Sequence, residues 1–380
     1  MKNYKYTIIT FTAWIYILSS CISSFETVGD KDLEGALVVE GVILEEGTKI
    51  TLSRTIKLSD ELPENYLFDG VSNATIRIID EAQNVIAVAE AYDWGKYIVK
   101  ERFSFVPDMK YALDIQIGTR HYQSVFAAPV NTPEIDEVSW KLNNDNSIDI
   151  MVSTHSFDNE TLYCFWNFEE NWEIRSRYFG NLRYDPITDA LIPQSLIGDN
   201  RYYCWSSDYS KSLLLASSEK LKDAEIKNHK IHTLQPGNSR YSYLYSITVR
   251  QYRLNREASL YFTNLQKNID ESGSLFAPQP SEMTGNIRCL SDPDELVIGY
   301  IFASKATSSR LFIPMVERNL NNFEEQTICE ENQFSDPRTA YSQGYGIGGN
   351  SYVALRCVDC TQRSGRPTKT KPDFWPNDHQ

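Results

Sequence analysis

Apolar and polar residues alternate with a period of two along most of the chain, which is the signature of half-buried strands. Residues 37–44 form a β-branched run, and residues 49–56 and 74–80 alternate cleanly. A polar turn at 81–84 leads into 85–88, and 95–99, 111–117 and 121–126 continue the pattern. About seven short strands with no helical period predict an antiparallel sandwich over residues 32–130. Pro129 to Pro133 reads as the linker to a second domain over 134–360, where 135–142, 147–153, 163–166, 285–289 and 297–302 again read as strands. One segment departs from this pattern. Ala258, Phe262, Leu265 and Ile269 draw a single apolar stripe, Asn255 suits the N-cap and Ser272-Gly273 the stop, so the spacing predicts a helix over 255–269. Residues 361–380, rich in Pro, Lys and Gly, read as a C-terminal tail. The expected fold is all-β, a sandwich followed by a larger β-rich domain with one helix.

A different signal occupies the first twenty residues. Lys2 and Lys5 precede an uncharged stretch that ends in Leu18-Ser19-Ser20-Cys21. A positive start, a short apolar core and small residues before the cut make a secretory signal, too short to be a spanning helix. Its end is similar to the lipobox of bacterial lipoproteins. That similarity implies cleavage before Cys21, a diacylglycerol on the Cys21 thiol and a lipidated tether over 21–31. Two or more acyl chains hold a protein on a bilayer almost permanently.

Composition narrows the picture further. The formal charge of −14 becomes more negative once Lys2 and Lys5 leave with the signal, a field that repels nucleic acid and anionic headgroups. The membrane partner is therefore expected through the lipid alone, with no nucleic-acid partner and no cofactor beyond that lipid. Of the seven cysteines, six remain after Cys21: Cys164, Cys204, Cys289, Cys329, Cys357 and Cys360. In an oxidising envelope these are disulfide candidates confined to the second domain, each bridge adding about 2–4 kcal/mol. Cys164 with Cys204 is the expected pair, and Cys329 is expected to join Cys357 or Cys360.

Several motifs invite chemistry. Gly344-Tyr345-Gly346-Ile347-Gly348-Gly349 has dinucleotide-loop spacing, but the polar residues before it and the strand-like residues after it favour a glycine-rich hairpin. Cys357-Val358-Asp359-Cys360 has redox-pair spacing without the helix start that would stabilise a thiolate, which favours structural disulfides over a thiol switch or a zinc site. His229 and His232 read as exposed loop residues, and Ser217-Ser218-Glu219-Lys220 as a solvated turn lacking the companion motifs of a serine acyl-enzyme. Glu169, Glu170 and Glu173 are the carboxylates nearest to an acid–base set. The strongest binding signal is aromatic: Trp166, Trp172, Tyr178, Tyr184, Tyr203 and Trp205 crowd one segment. They form either a contact surface for sugar, peptide or protein, or the second domain's core.

In order along the chain, Asn73-Ala74-Thr75-Ile76, Gly95-Lys96-Tyr97, Pro133-Glu134-Ile135-Asp136 and Val249-Arg250-Gln251-Tyr252 are followed by Gly273-Ser274-Leu275-Phe276-Ala277-Pro278-Gln279-Pro280. Gly285-Asn286-Ile287, Gly299-Tyr300, the Cys357–Cys360 pair and the Asp373-Phe374-Trp375-Pro376 ending complete the set. With these the chain resembles the outer-membrane lipoprotein family known as domain of unknown function 4249, of Bacteroidota type. The resemblance implies an immunoglobulin- or transthyretin-like first domain and a TonB-dependent outer-membrane transporter as partner. It brings no catalytic residue. The expected function is a non-enzymatic, lipid-anchored outer-membrane binding protein. The other classes are an envelope hydrolase of glycan or peptide using carboxylates, and a structural or adhesive surface module.

Overall fold

The computed structural model describes residues 35–56, 69–193, 201–237, 239–271, 285–314, 329–363, 365 and 367–377. The signal, Cys21, the tether and the 273–280 motif lie outside the described residues. The chain is all-β apart from two helices among those residues.

Nine strands build the first half: β1 (Leu37–Ile43), β2 (Lys49–Arg54), β3 (Asp69–Gly70), β4 (Ala74–Asp80), β5 (Val85–Asp93), β6 (Lys96–Ile98), β7 (Tyr111–Ile117), β8 (Arg120–Ser124) and β9 (Val130–Asn131). The long β5 carries two pairings. Its first part lies against β4, with Ile76 opposite Ala89, and its second part against β6, with Ala91 opposite Tyr97. An irregularity at Ala91/Asp93 separates Asp93 from the preceding pairs, and local irregularities of this kind bend a strand. Both strand groups therefore surround one core, in which Leu37, Leu52, Ile76, Ile78 and Ile115 are fully buried. Tyr97 is buried there too, and its hydroxyl donates to Val71 O (2.7 Å) and accepts from Ala74 N (3.0 Å).

The second half continues with β10 (Ile135–Leu142), β11 (Ile148–His155), β12 (Tyr163–Arg175), β13 (Leu182–Asp185), β14 (Ala190–Pro193), β15 (Tyr203–Tyr209), β16 (Leu214–Ser217), β17 (Glu225–Leu234) and β18 (Tyr245–Arg253). Helix α1 (Arg256–Glu271) follows, then β19 (Ile287–Cys289), β20 (Val297–Ile298), β21 (Phe302–Lys305) and β22 (Thr307–Ile313). A short helix α2 (Pro337–Ser342) and a hairpin of β23 (Tyr345–Gly348) and β24 (Ser351–Ala354) end the regular structure. The sheet β10-β11-β17 packs on the sheet β15-β12-β18-β22. Between them Ile148, Ile150 and Val152 meet Trp166, Ile247 and Val249. The even-numbered residues of β12 from Cys164 to Trp172 supply one wall, as period-two alternation requires.

Helix α1 starts one residue later than the spacing predicts, with Asn255 as the cap: its Oδ1 accepts from Ala258 N at 2.8 Å. Ala258 is fully buried and Phe262 stacks on Phe165, centroids 5.7 Å apart and planes 4° from parallel. Ile269, the last residue of the expected stripe, is 58% exposed, so the packed face stops a turn early.

Two sequence expectations are corrected here. The first core is not completed by residues 32–130: β19 pairs with β8, while β20 and β21 run parallel to β1, and β21 runs parallel to β9. The first sheet is therefore mixed, not purely antiparallel, because strands that return after a long excursion can enter with either direction. Ile287, Val297 and Ile301 are buried in that first core. The C-terminal stretch is also not a free tail. Thr368 exchanges two 2.8 Å backbone hydrogen bonds with Trp205, and Trp375 is buried against Trp205 and Leu244.

The family-like motifs meet where the two halves join. Gln251, fully buried on β18, accepts from Trp166 Nε1 (2.8 Å) and donates to Pro133 O (2.9 Å) and to Thr154 Oγ1 (3.0 Å). Thr132 Oγ1 accepts from Arg253 N (2.9 Å) and lies 3.0 Å from Ser304 Oγ, and the Arg253 guanidinium donates to Asp158 at 2.6 Å. That contact outweighs the smaller opposing effect of burial and holds the Asp158 carboxyl well below the usual carboxylate range. The linker is a hydrogen-bonded joint.

Candidate functional site

The cysteines rearrange the expected scheme. Cys204 bonds Cys360 and Cys329 bonds Cys357, whereas Cys164 and Cys289 are free and buried. The expected Cys164–Cys204 bridge fails because Cys164 points into the two-sheet core on β12, where burial pushes its thiol up to about 12. The Cys-x-x-Cys pair is split between two bridges, which removes any redox couple between its members. Cys21 apart, the denatured protein is expected to show two thiols without reductant and six after reduction; a titration giving four before reduction would contradict this pairing.

The other motifs find structural places. Gly344–Gly349 is the β23–β24 hairpin, as its flanks indicate, and Gly346 sits against Val358 and Leu355 so closely that a Cβ would lie 2.6 Å from Val358. Ser218 is buried, not solvated: its Oγ accepts from Leu162 N at 2.9 Å, while Glu219 and Lys220 form the exposed turn. His229 and His232 sit on β17, not in a loop. His229 stacks on Trp166 at 5.2 Å, and burial lowers its pKa.

His232 borders a charged cluster that sequence reasoning did not assemble, because its members come from four separate elements. Glu170 on β12 is 2% exposed, and its oxygens accept from Tyr245 Oη and Arg240 Nη1, both at 2.6 Å. His232 Nε2 lies 3.2 Å from Glu170 Oε1. Arg240 also reaches Asp208 at 2.8 Å and lies 4.7 Å over the Trp172 ring. Burial alone would raise the Glu170 pKa, but His232, Tyr245 and Arg240 outweigh it and hold the carboxyl below its ordinary value. A carboxylate so held is a weak proton acceptor, so the arrangement serves packing better than acid–base work. Glu173 is likewise buried and paired with Arg175 (2.5 Å), and Glu169 Oε1 accepts from Asn171 (3.2 Å), so the three glutamates do not converge. Among the described residues no His, Cys, Asp and Glu group is placed to hold a metal ion, and no helix is long and apolar enough to cross a membrane.

The aromatic segment divides. Trp166, Trp172 and Trp205 are core residues, each less than 10% exposed, which removes them from any contact surface. Tyr178 packs beneath the β23–β24 hairpin, and Tyr203 lies under the Arg175 guanidinium (5.2 Å). Tyr184 lines a pocket. On β13 it stands 5.3 Å from the Tyr341 ring of α2, and with Tyr345 and Tyr352 it walls a cavity of about 130 Å³ floored by Leu355 and Val358. Phe334 backs two of these rings, 4.8 Å from Tyr345 and 5.5 Å from Tyr352.

Local chemistry explains how these pieces are held. Asp336 caps α2 through a 2.9 Å bond from Thr339 N, with Pro337 at the first turn. The two disulfides tie the pocket floor to β15 and to residue 329. The β13–β14 hairpin leaves apolar residues exposed: Ile187 in its turn is 91% exposed, and Leu182 and Leu191 on its strands are exposed in part. No local pattern marked this site, because its walls lie more than 150 residues apart along the chain.

Comparison with curated proteins returned no match. A family model described as a domain of unknown function (DUF4249) matches residues 22–310, and the chain belongs to that family.

Proposed function

We propose that the protein is a lipid-anchored binding protein of the outer membrane, an accessory to a TonB-dependent transporter and not an enzyme. The lipobox ending at Cys21 supports anchorage. The observation that carries the binding role is the β13–β14 hairpin, whose turn offers Ile187 almost wholly to solvent. A large apolar side chain left this exposed in a hairpin turn suits protein contact. Anchorage confines the search for an integral partner to the membrane plane, so modest intrinsic affinity suffices.

Affinity capture from detergent-solubilised outer membrane tests the reading. The native protein should bring down an integral transporter, and Ile187→Asp should reduce that yield at least tenfold while leaving the melting point in place. Cys21→Ala should give a form lacking acyl mass that no longer sediments with membranes. Turnover of a glycan or peptide, with no outer-membrane protein captured by the native form, would replace this reading with the hydrolase.

A further inference from the structure

The tyrosine pocket beneath the hairpin has a composition that the docking role does not use. Its lining combines four tyrosines, Tyr184, Tyr341, Tyr345 and Tyr352, with the apolar Leu355 and Val358. Arg201 and Gln362 stand at its edge. The nearby charges are balanced within the protein. Arg201 pairs with the buried Asp359, Arg338 pairs with Asp189 at 2.8 Å, and Arg183 lies within electrostatic reach of Asp185. Arg338 Nε also donates to the Tyr184 hydroxyl at 3.3 Å, which fixes that ring against the Tyr341 ring.

Each feature excludes a class of ligand. An ionic ligand would have to displace an internal carboxylate or guanidinium from a formed pair. The Tyr184 hydroxyl is already bonded to Asp189 (2.7 Å) and Arg338, but a purely aliphatic side chain would cover the Tyr341, Tyr345 and Tyr352 hydroxyls without offering them a partner, at a cost. A pyranose satisfies both surfaces, because its C–H face lies flat on an aromatic ring while its ring hydroxyls point outward to donors and acceptors. We infer that the cavity between the β13–β14 hairpin, α2 and the β23–β24 hairpin binds an uncharged saccharide, with Tyr184 and Tyr352 as stacking surfaces. The Cys204–Cys360 and Cys329–Cys357 bridges hold the floor in place before the ligand arrives, which lowers the ordering cost of binding.

The inference rests on the binding-protein reading and names its cargo. Titration calorimetry of the full mature chain in detergent against maltohexaose, cellohexaose, xylohexaose and mannohexaose, with hexagalacturonate as the charged control, tests it. At least one neutral hexaose should bind. Tyr184→Ala should weaken that binding at least tenfold, and Tyr184→Phe, which keeps the ring, should retain most of it. Tyr341→Ala, at a helix position 39% exposed, supplies a second ring removal should Tyr184→Ala fail to fold. No binding of any neutral hexaose, stronger binding of hexagalacturonate, or affinity unchanged in both alanine variants would overturn the inference. The capture yield of Ile187→Asp is read without saccharide, so loss of the transporter role and loss of the saccharide site give different results.

Discussion

Gly299→Ala is expected to leave little folded protein. Gly299 has φ +135°, a conformation that L side chains rarely adopt, and a Cβ there would lie 2.0 Å from the carbonyl oxygen of Val39. The obstacle is the backbone of β1 just where β20 runs beside it, so no side chain can swing away. Gly285 meets the same difficulty from the other side, since its Cβ would stand 1.7 Å from Gly299 O. Asn286 then completes the crossing by imitating a strand: its Oδ1 accepts from Ile301 N (2.8 Å) and its Nδ2 donates to Ile301 O (2.6 Å). Backbone strain and forced separation together cost about 4 kcal/mol or more. The urea midpoint should collapse accordingly. Gly118→Ala is the comparison, because Gly118 also has positive φ (+56°) but nothing lies within 4 Å of its Cβ position, so only about 1 kcal/mol is at stake. Equal stability of the two variants would remove the close-approach account.

Arg240→Met should be the second severe change, with a pH dependence that identifies its cause. Removing the guanidinium leaves Glu170 buried with Tyr245 and His232 as its remaining contacts, a loss of about 3 kcal/mol at neutral pH. Because the folded-state pKa of Glu170 is depressed below its ordinary 4.5, the native network stabilises the fold above that value. Its contribution fades as pH falls through the lower folded value. In the variant the carboxyl loses a positive partner, so the deficit relative to the native protein should be greatest near neutrality and shrink in acid as Glu170 takes up a proton. Glu170→Gln combined with Arg240→Met should recover part of the loss. A deficit constant between neutral pH and pH 4 would point instead to lost packing of Arg240 on Trp172.

Local pattern carried the all-β class, most strand positions and helix α1 with its Asn255 cap, because alternation and capping are short-range physics. The glycine hairpin was also legible, since its flanks spoke against a phosphate loop. The returning strands were not legible. Residues 287–289 and 297–298 look like any short strand, and the partner of each lies on β8 or β1, which no local window contains. Cys329 joins Cys357 as expected, but the Cys164–Cys204 pairing failed for the same reason: the two share aromatic surroundings along the chain, yet one faces the core and the other meets residue 360. The Trp residues of the aromatic segment were open to either role, and strand alternation on β12 assigned Trp166 and Trp172 to the interior. Tyr184 lines a pocket only because residues 337–359 come to stand opposite it.

The order in which the polypeptide is made gives the returning strands a biosynthetic consequence. Val42 pairs with Phe302 and Val38 with Ile298, so this edge of β1 waits for a further 260 residues of synthesis before it is covered. Throughout that interval β1 offers unpaired amides and carbonyls, the surface on which strands of other molecules add. Pairing at such sequence separation is also slow once the chain is complete. A nascent chain of this design should therefore depend on holdase chaperones until residue 305 has been delivered. Premature termination anywhere before Gly285 should yield a sticky fragment, not a smaller working domain.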